Sequence, residues 1–116
     1  MITLLIKKKW FELIRSGEKK EEYREIKPYY ITRFLKEMRF PKSYRKNLND
    51  IKWFIGELEQ ITPNFSTAIT IQLKNGYHKD APTLICKCGL RVGYGKEEWG
   101  AEPETKYFIL DILEIL

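Results

Sequence analysis

The spacing of apolar residues predicts two strands and two helices in the first third of this chain. Residues 2–6 carry apolar side chains at every second position, which is the pattern of a half-buried strand. Residues 7–16 change to helical spacing, and Gly17 suits the left-handed conformation in which many helices end. A second helix is expected to begin at Pro28, since proline fits the first turn of a helix. The charged stretch between the two helices has the length of a short strand.

The remainder of the chain is predicted to be mainly β structure. Residues 67–74 and 83–92 alternate apolar and polar positions, with the turn signal Asn75-Gly76 between them. Residues 107–116 are apolar on both faces, as expected of a central strand. A third helix is predicted near residues 51–61. This element order predicts an α+β fold, in which a small, partly closed β-barrel has helices packed over it.

Length and composition indicate one globular domain over residues 1–116. Hydrophobic residues make up 43% of the chain and aromatic residues 14%, which argues against disorder. Lysine and arginine outnumber aspartate and glutamate by 21 to 16, and the resulting charge of +5 suits a polyanionic partner. No apolar run approaches the roughly 18 residues that a membrane span requires. Because the N-terminal residues also lack the pattern of a signal peptide, we expect no membrane association and a cytoplasmic protein.

The two cysteines are predicted to be reduced core residues. Cys86 and Cys88 are two positions apart, so in a strand they point to the same side as their apolar neighbours. A zinc site would need further ligands, and His78 is the single histidine of the chain. The sequence therefore predicts neither a metal site nor a cofactor.

The stretch GEKKEEYR, residues 17–24, carries the candidate chemistry. Its only apolar side chain is Tyr23, so as a strand it must border an exposed edge or a polar cleft. Glu22 and Arg24 would share one face, with Lys19 at the turn where the first helix ends. Two interpretations follow. One is a solvated edge strand with ordinary ion pairs, and the other is a cleft whose charges contact a ligand.

This stretch follows the pattern Gly-x-Lys-x-x-Glu-x-Arg and stands directly after a strand and a helix. In that position it resembles the motif of the ASCH domain family, a branch of the PUA-like fold, in its small bacterial and phage-associated type. The later segments KNGYHKDAPT, KEEWGAEP and YFILDILEIL are similar to the same family. The resemblance covers nearly the whole chain, apart from a helical insertion at about residues 39–64. It implies a small β-barrel with a cleft at the motif and a role in binding RNA or nucleotides.

The resemblance gives the motif residues candidate roles in ligand binding. Lys19 and Arg24 are suited to a phosphate or a base edge, because both donate charge-assisted hydrogen bonds. Glu22 is suited to accepting hydrogen bonds from base amines or sugar hydroxyls. The alternative is an internal ion pair that fixes the wall of the cleft. Two aromatic residues, Tyr77 and Trp99, are candidates for stacking on a base, with packing of a loop as the alternative.

A basic segment provides a candidate surface for nucleic acid. It contains Arg39, Lys42, Arg45 and Lys46, interleaved with aromatic residues. Such a segment can follow a phosphate backbone, although charged runs are often simply solvated. We predict that it contributes to RNA binding if RNA is the ligand.

The alternative function is a small hydrolase acting on a modified nucleoside or on RNA, with Lys19 and Glu22 as catalytic candidates. The resemblance includes one branch that hydrolyses the acetyl amide of N4-acetylcytidine and another that has been assigned ribonuclease activity. The first branch uses a threonine nucleophile where this chain has Glu22. That activity is therefore not transferred to this chain, and whether it is an enzyme stays open. A protein-interaction domain is a third possibility.

Overall fold

The structure, a computed structural model, describes residues 1–38 and 68–116 together with Gly56, Glu59 and Gln60. Within these residues the protein is α+β, with a five-stranded sheet curled into a half-barrel and two α-helices. The elements in chain order are β1 (Ile2–Leu5), α1 (Lys8–Ser16), β2 (Glu21–Glu25), α2 (Pro28–Glu37), β3 (Ala68–Lys74), β4 (Thr83–Tyr94) and β5 (Lys106–Ile115). The predicted order of these seven elements is confirmed. Most of the predicted insertion at residues 39–64, including most of the third helix, lies outside the described residues.

The strand order in the sheet is β1-β3-β4-β5-β2, so that the two N-terminal strands form its opposite edges. β1 pairs in parallel with β3, and the other neighbouring strands are antiparallel. The motif strand β2 pairs with β5, with Glu22 opposite Leu110. Curling of the sheet brings its two edges together. Arg24 Nη2 on β2 donates a hydrogen bond of 2.8 Å to the carbonyl oxygen of Leu5 on β1.

Both helices bury their apolar faces on the inner side of the sheet. Phe11 and Ile14 of α1 are buried there, and the ring centroid of Phe34 on α2 lies 5.0 Å from that of Phe108 on β5. The strands contribute alternate residues to the same core, and the inward set includes Leu4, Ile6, Ile69, Ile71, Cys86 and Cys88. The predicted placement of both cysteines is confirmed, since they are free thiols and fully buried.

The end of β5 differs from the prediction. Its residues 107–110 are buried, as expected of a central strand, but the side chain of Leu113 is 63% exposed. β5 continues past Asp111, where its pairing with β2 stops, and residues 113–116 are all exposed; its pairing with β4 is also irregular here, with Cys88 opposite Ile112 while Lys87 is opposite Glu114. Leu113 is therefore left without a partner residue on β4. No helix in the described part of the chain is long and apolar enough to cross a membrane.

Candidate ligand-binding site

A cavity of about 410 Å³ lies beside the motif strand, a size typical of small-molecule sites. Its walls come from the end of β1, α1, β2, the first turn of α2 and the connection between β4 and β5. Five aromatic residues line it, namely Trp10, Tyr23, Tyr30, Trp99 and Tyr107. The three charged motif residues line it as well, so the cavity joins an ion-pair cluster to several ring faces.

The end of α1 positions Lys19. Gly17 adopts a left-handed conformation with φ of 87°, which turns the chain out of the helix. The backbone N–H of Lys19 then donates to the carbonyl oxygen of Leu13 at 2.9 Å, which fixes this residue against the helix end. As a result the Lys19 side chain is directed inward and is only 1% exposed.

One carboxylate holds two cations in this cluster. Lys19 Nζ lies 2.7 Å from Glu22 Oε1, and Arg24 Nη2 lies 2.7 Å from Glu22 Oε2. Glu22 and Arg24 share a face because they are two positions apart on β2. The Glu22 side chain is 7% exposed. Two positive groups against one negative group leave the buried cluster with a net charge of +1.

Arg24 directs its remaining contacts to the protein. Its Nη2 also reaches the carbonyl oxygen of Leu5 at 2.8 Å, and its Nη1 donates to the Tyr30 hydroxyl at 3.4 Å. Its Nε is buried and has no hydrogen-bond partner among the described residues. Arg24 therefore joins β1, β2 and α2 at one wall of the cavity, and it fixes the second oxygen of Glu22.

The electrostatic environment of Lys19 is set mainly by burial. Loss of solvent lowers the pKa of Lys19 from its ordinary value of 10.5, although Glu22 acts in the opposite direction, and Arg24 lowers the pKa further. The rings of Trp10 and Tyr23 have their centroids 4.6 Å and 5.6 Å from Lys19 Nζ. Lys19 is thus a buried amine with one carboxylate partner and two aromatic neighbours.

The connection between β4 and β5 forms another wall of the cavity and is held by close contacts to β2 and α1. A Cβ placed on Gly95 would lie 2.6 Å from the Tyr23 ring, and one on Gly100 would lie 3.0 Å from the Trp10 ring. The Lys96 backbone N–H also donates to the Tyr23 hydroxyl at 2.9 Å. Only glycine permits the close contacts at these two positions. These contacts hold the connection against the cavity.

Trp99, a candidate from the sequence for stacking on a base or for packing this loop, lies in this connection and lines the cavity. The ammonium of Lys96 lies 4.4 Å from its ring centroid. Tyr77 is placed differently, because its side chain is 88% exposed and is not among the residues that line this cavity. The structure thus brings Lys19, Glu22 and Arg24 together with Trp99 but not with Tyr77. The predicted nucleic-acid surface of Arg39, Lys42, Arg45 and Lys46 lies outside the described residues.

Four lining aromatic residues were not identified as site residues from the sequence. Trp10, in the first helix, is half-buried: it packs against the hydrophobic core and also borders the cavity. A signal was present, because three lysines precede Trp10 and place it where the apolar face of α1 meets its charged face. Tyr23 was visible as the single apolar residue of the motif. Nothing local distinguishes Tyr30 or Tyr107 from ordinary core residues.

The described residues form no candidate metal-binding site. Within residues 1–38 and 68–116, no group of three or more histidine, cysteine, aspartate or glutamate residues is arranged to hold a metal ion. Comparisons of the chain with protein-family models, with curated proteins and with solved structures find no match. The geometry of the cavity is therefore the basis on which its function has to be argued.

Proposed function

We propose that the protein is a nucleotide- or RNA-binding domain of the ASCH type within the PUA-like fold, with the cavity at β2 as its ligand site. One observation carries the proposal. Aromatic rings surround a buried cluster of Lys19, Glu22 and Arg24 whose net charge is +1. Nucleotides combine a flat aromatic base with an anionic phosphate, and this combination matches both features of the cavity.

The aromatic lining supports the base-binding part of the proposal. Trp10 and Trp99 are contributed by separate elements, α1 and the β4–β5 connection, and both border the same space. Stacking on an aromatic side chain contributes about 1–3 kcal/mol per base. It also tolerates any base, because every base has a π-face.

The charge distribution supports the anionic part. The lining residues include four cations and three carboxylates, namely Lys7, Lys19, Arg24 and Lys27 against Glu22, Glu25 and Glu102. The whole set has an excess of only one positive charge. Its buried members are two cations, Lys19 and Arg24, and one carboxylate, Glu22. A low-dielectric surrounding strengthens their field at the ligand.

The test is direct binding. Two tryptophans line the cavity, so titration with nucleoside monophosphates or short single-stranded RNAs should quench the intrinsic fluorescence saturably. Calorimetry on Trp99→Ala should then show about a 10-fold weaker affinity, consistent with the loss of one stacking surface. Tyr77→Ala is the matched control, since its exposed ring does not line the cavity and its loss should leave affinity unchanged. Absence of saturable binding to any of these ligands would refute the proposal.

The basic segment provides a separate test for RNA. If Arg45 and Lys46 contact phosphates, log K should fall linearly with log salt, and replacing both with alanine should flatten this dependence by about 0.7 per lost contact on single strands. An unchanged slope would remove the segment from the binding surface.

A small hydrolase is the second candidate, favoured by the lowered pKa of Lys19 beside Glu22. No serine, threonine or cysteine is among the described residues that line the cavity. Glu22 would then act either as the base that takes a proton from an attacking water or as the nucleophile itself. We expect no turnover of N4-acetylcytidine, because the threonine used by that branch is replaced by Glu22.

Turnover separates the two candidates. Wild-type protein is incubated with acylated cytidines and short RNAs, and products are identified by mass. If the protein is a hydrolase, Glu22→Gln should reduce turnover by about 100-fold or more while ligand affinity changes little. Circular dichroism must show that the variant is folded. Product formed by wild type and lost in Glu22→Gln would replace the binding proposal with the enzymatic one.

A further inference from the structure

The cations of the buried cluster are engaged within the protein. Lys19 Nζ and Arg24 Nη2 each lie 2.7 Å from an oxygen of Glu22, and Arg24 Nη2 also donates to the carbonyl oxygen of Leu5. The Lys19 side chain is only 1% exposed. The field of this cluster reaches a ligand in the cavity, but direct contact with a phosphate requires cations that are open to solvent.

Two exposed lysines lie over the tryptophans that line the cavity. Lys9 Nζ is 4.5 Å from the ring centroid of Trp10, and Lys96 Nζ is 4.4 Å from that of Trp99. In the described part of the chain neither lysine has a carboxylate within ion-pair distance. Cation–π contact holds each ammonium in place, and exposure leaves it N–H donors for a ligand. Both charges therefore lie where the cavity meets solvent.

The exposed lysines that line the cavity directly are less suited to hold an anion. Lys27 Nζ lies 3.9 Å from a carboxylate oxygen of Glu25, which offsets part of its charge. The Lys7 side chain has no hydrogen bond, ion pair or ring contact among the described residues. Fixing it on a ligand therefore costs more side-chain entropy than using an ammonium that a ring already holds.

Lys9 and Lys96 stand on two different walls that touch each other. Lys9 and Trp10 belong to α1, whereas Lys96 and Trp99 belong to the β4–β5 connection. The two walls meet at Gly100, where an added Cβ would lie 3.0 Å from the Trp10 ring. The cavity thus has one unpaired positive charge on each of two adjoining walls.

Two separate positive charges match a ligand that carries two separate phosphates. A free mononucleotide has one phosphate group, whereas a nucleotide within a strand has one on its 5′ side and one on its 3′ side. We infer that the cavity binds an internal nucleotide of a single strand, with Lys9 and Lys96 contacting the phosphates on its two sides. This inference rests on the proposed function and names its ligand class, a strand rather than a free mononucleotide. Positive grooves beside aromatic rings are the usual means of holding single strands.

The experiment compares nucleotides that differ only in their phosphates. Calorimetry measures the affinity of wild-type protein for the 5′-monophosphate, the 3′-monophosphate and the 3′,5′-bisphosphate of uridine, and for the same three forms of adenosine. The bisphosphate reproduces the two phosphates that flank an internal nucleotide. At low salt it should bind about five-fold more tightly than the better monophosphate, because a second exposed ion pair forms. Its log K should also fall more steeply with log salt, by about 0.7 for the added contact.

Two lysine variants locate the second contact. Lys9→Met and Lys96→Met each retain the length and apolar stem of the side chain but remove its charge. In either variant the bisphosphate keeps one contact, so its advantage over the better monophosphate should fall close to one. Lys20→Met is the matched control, because Lys20 is exposed and does not line the cavity, and its loss should leave the advantage unchanged. An advantage that persists in both test variants would refute the role of these lysines.

The outcomes separate this inference from the function beneath it. Saturable binding of monophosphates and bisphosphates with equal affinity and equal salt dependence leaves the proposed function standing and refutes the inference. Absence of binding by all of these nucleotides, and by short RNAs, refutes both.

Discussion

Lys19 and Glu22 form an ion pair, with 2.7 Å between Nζ and Oε1, in a place where neither side chain has appreciable contact with solvent. The pair joins the end of α1 to β2, and both residues line the cavity. Its members are three positions apart in the chain, yet the turn at Gly17 is needed to face them toward each other. Burial makes this pair responsive to both substitution and pH.

The stability of the protein should depend on pH through Lys19. Burial lowers its pKa in the folded state below the ordinary 10.5, so between these two values the unfolded chain binds more protons than the folded one. The free energy of unfolding contributed by Lys19 therefore rises as pH increases toward 10.5. Urea unfolding at pH 8, 9 and 10 should show wild type gaining stability relative to Lys19→Met. A relative loss would mean that the attraction of Glu22 outweighs desolvation.

Loss of the carboxylate should be costly. Glu22→Gln leaves Lys19 as a buried cation without a charged partner, and breaking one side of a buried ion pair costs on the order of 3 kcal/mol. Denaturant unfolding at neutral pH measures the change. Glu25→Gln on the same strand is the control, since the Glu25 side chain is 73% exposed and its loss should change stability by about 0.5 kcal/mol or less. Equal effects of the two substitutions would contradict the buried pair.

The Tyr23 hydroxyl should ionise at a higher pH than that of an exposed tyrosine. Burial chiefly raises its pKa to about 12, while the Lys96 backbone N–H bonded to its hydroxyl oxygen acts in the opposite direction. Stability due to the neutral hydroxyl is complete below pH 10 and is lost as pH rises from about 10 to 12. The difference in absorbance near 295 nm between wild type and Tyr23→Phe should appear only above about pH 11. A difference centred at pH 10 would show that the Tyr23 hydroxyl is open to solvent.

The cysteines should be inert in the folded protein. Burial raises the pKa of the Cys86 thiol and raises that of Cys88 to about 12, and the thiolate is the reactive form. A bulky thiol reagent should therefore react with the native protein only as fast as the protein unfolds. In denaturant the reagent should label both thiols. Cys86→Ser should destabilise the fold by roughly 1–3 kcal/mol, because it places a hydroxyl in an apolar site. Rapid reaction of either native thiol would contradict this packing.

Gly95 should be required for the shape of the cavity. Its Cα approaches the Tyr23 ring so closely that an added Cβ would lie 2.6 Å from a ring carbon and 2.8 Å from the Cβ of Ala101. Gly95→Ala should displace the β4–β5 connection, cost roughly 1–3 kcal/mol of stability and weaken nucleotide binding through Trp99. Gly89→Ala is the control, because its nearest neighbour would be Asp111 Cβ at 4.0 Å. An unaffected Gly95→Ala protein would show that the connection is not closely packed.

Periodicity predicted the elements well because most strands bury alternate residues on one face. It also placed Glu22 and Arg24 on a common side, since this follows from the geometry of any strand. Periodicity could not predict the cavity. Its lining residues Trp10, Tyr30 and Trp99 are separated in the chain and come together only through the topology of the sheet. The irregular pairing at Leu113 was equally invisible, since residues 107–116 carry apolar side chains on both faces and a one-residue slip does not change that pattern.

The pairing of β2 with β5 has a consequence for synthesis on the ribosome. Glu21 and Asp111 are partners although 90 residues separate them, and at about 5–20 residues per second this interval lasts on the order of ten seconds. During that time the motif strand has no sheet partner. Its charged composition disfavours pairing with other nascent chains, as gatekeeper charges do beside exposed strands. The residues that we propose bind the ligand thus also protect the chain before it can fold.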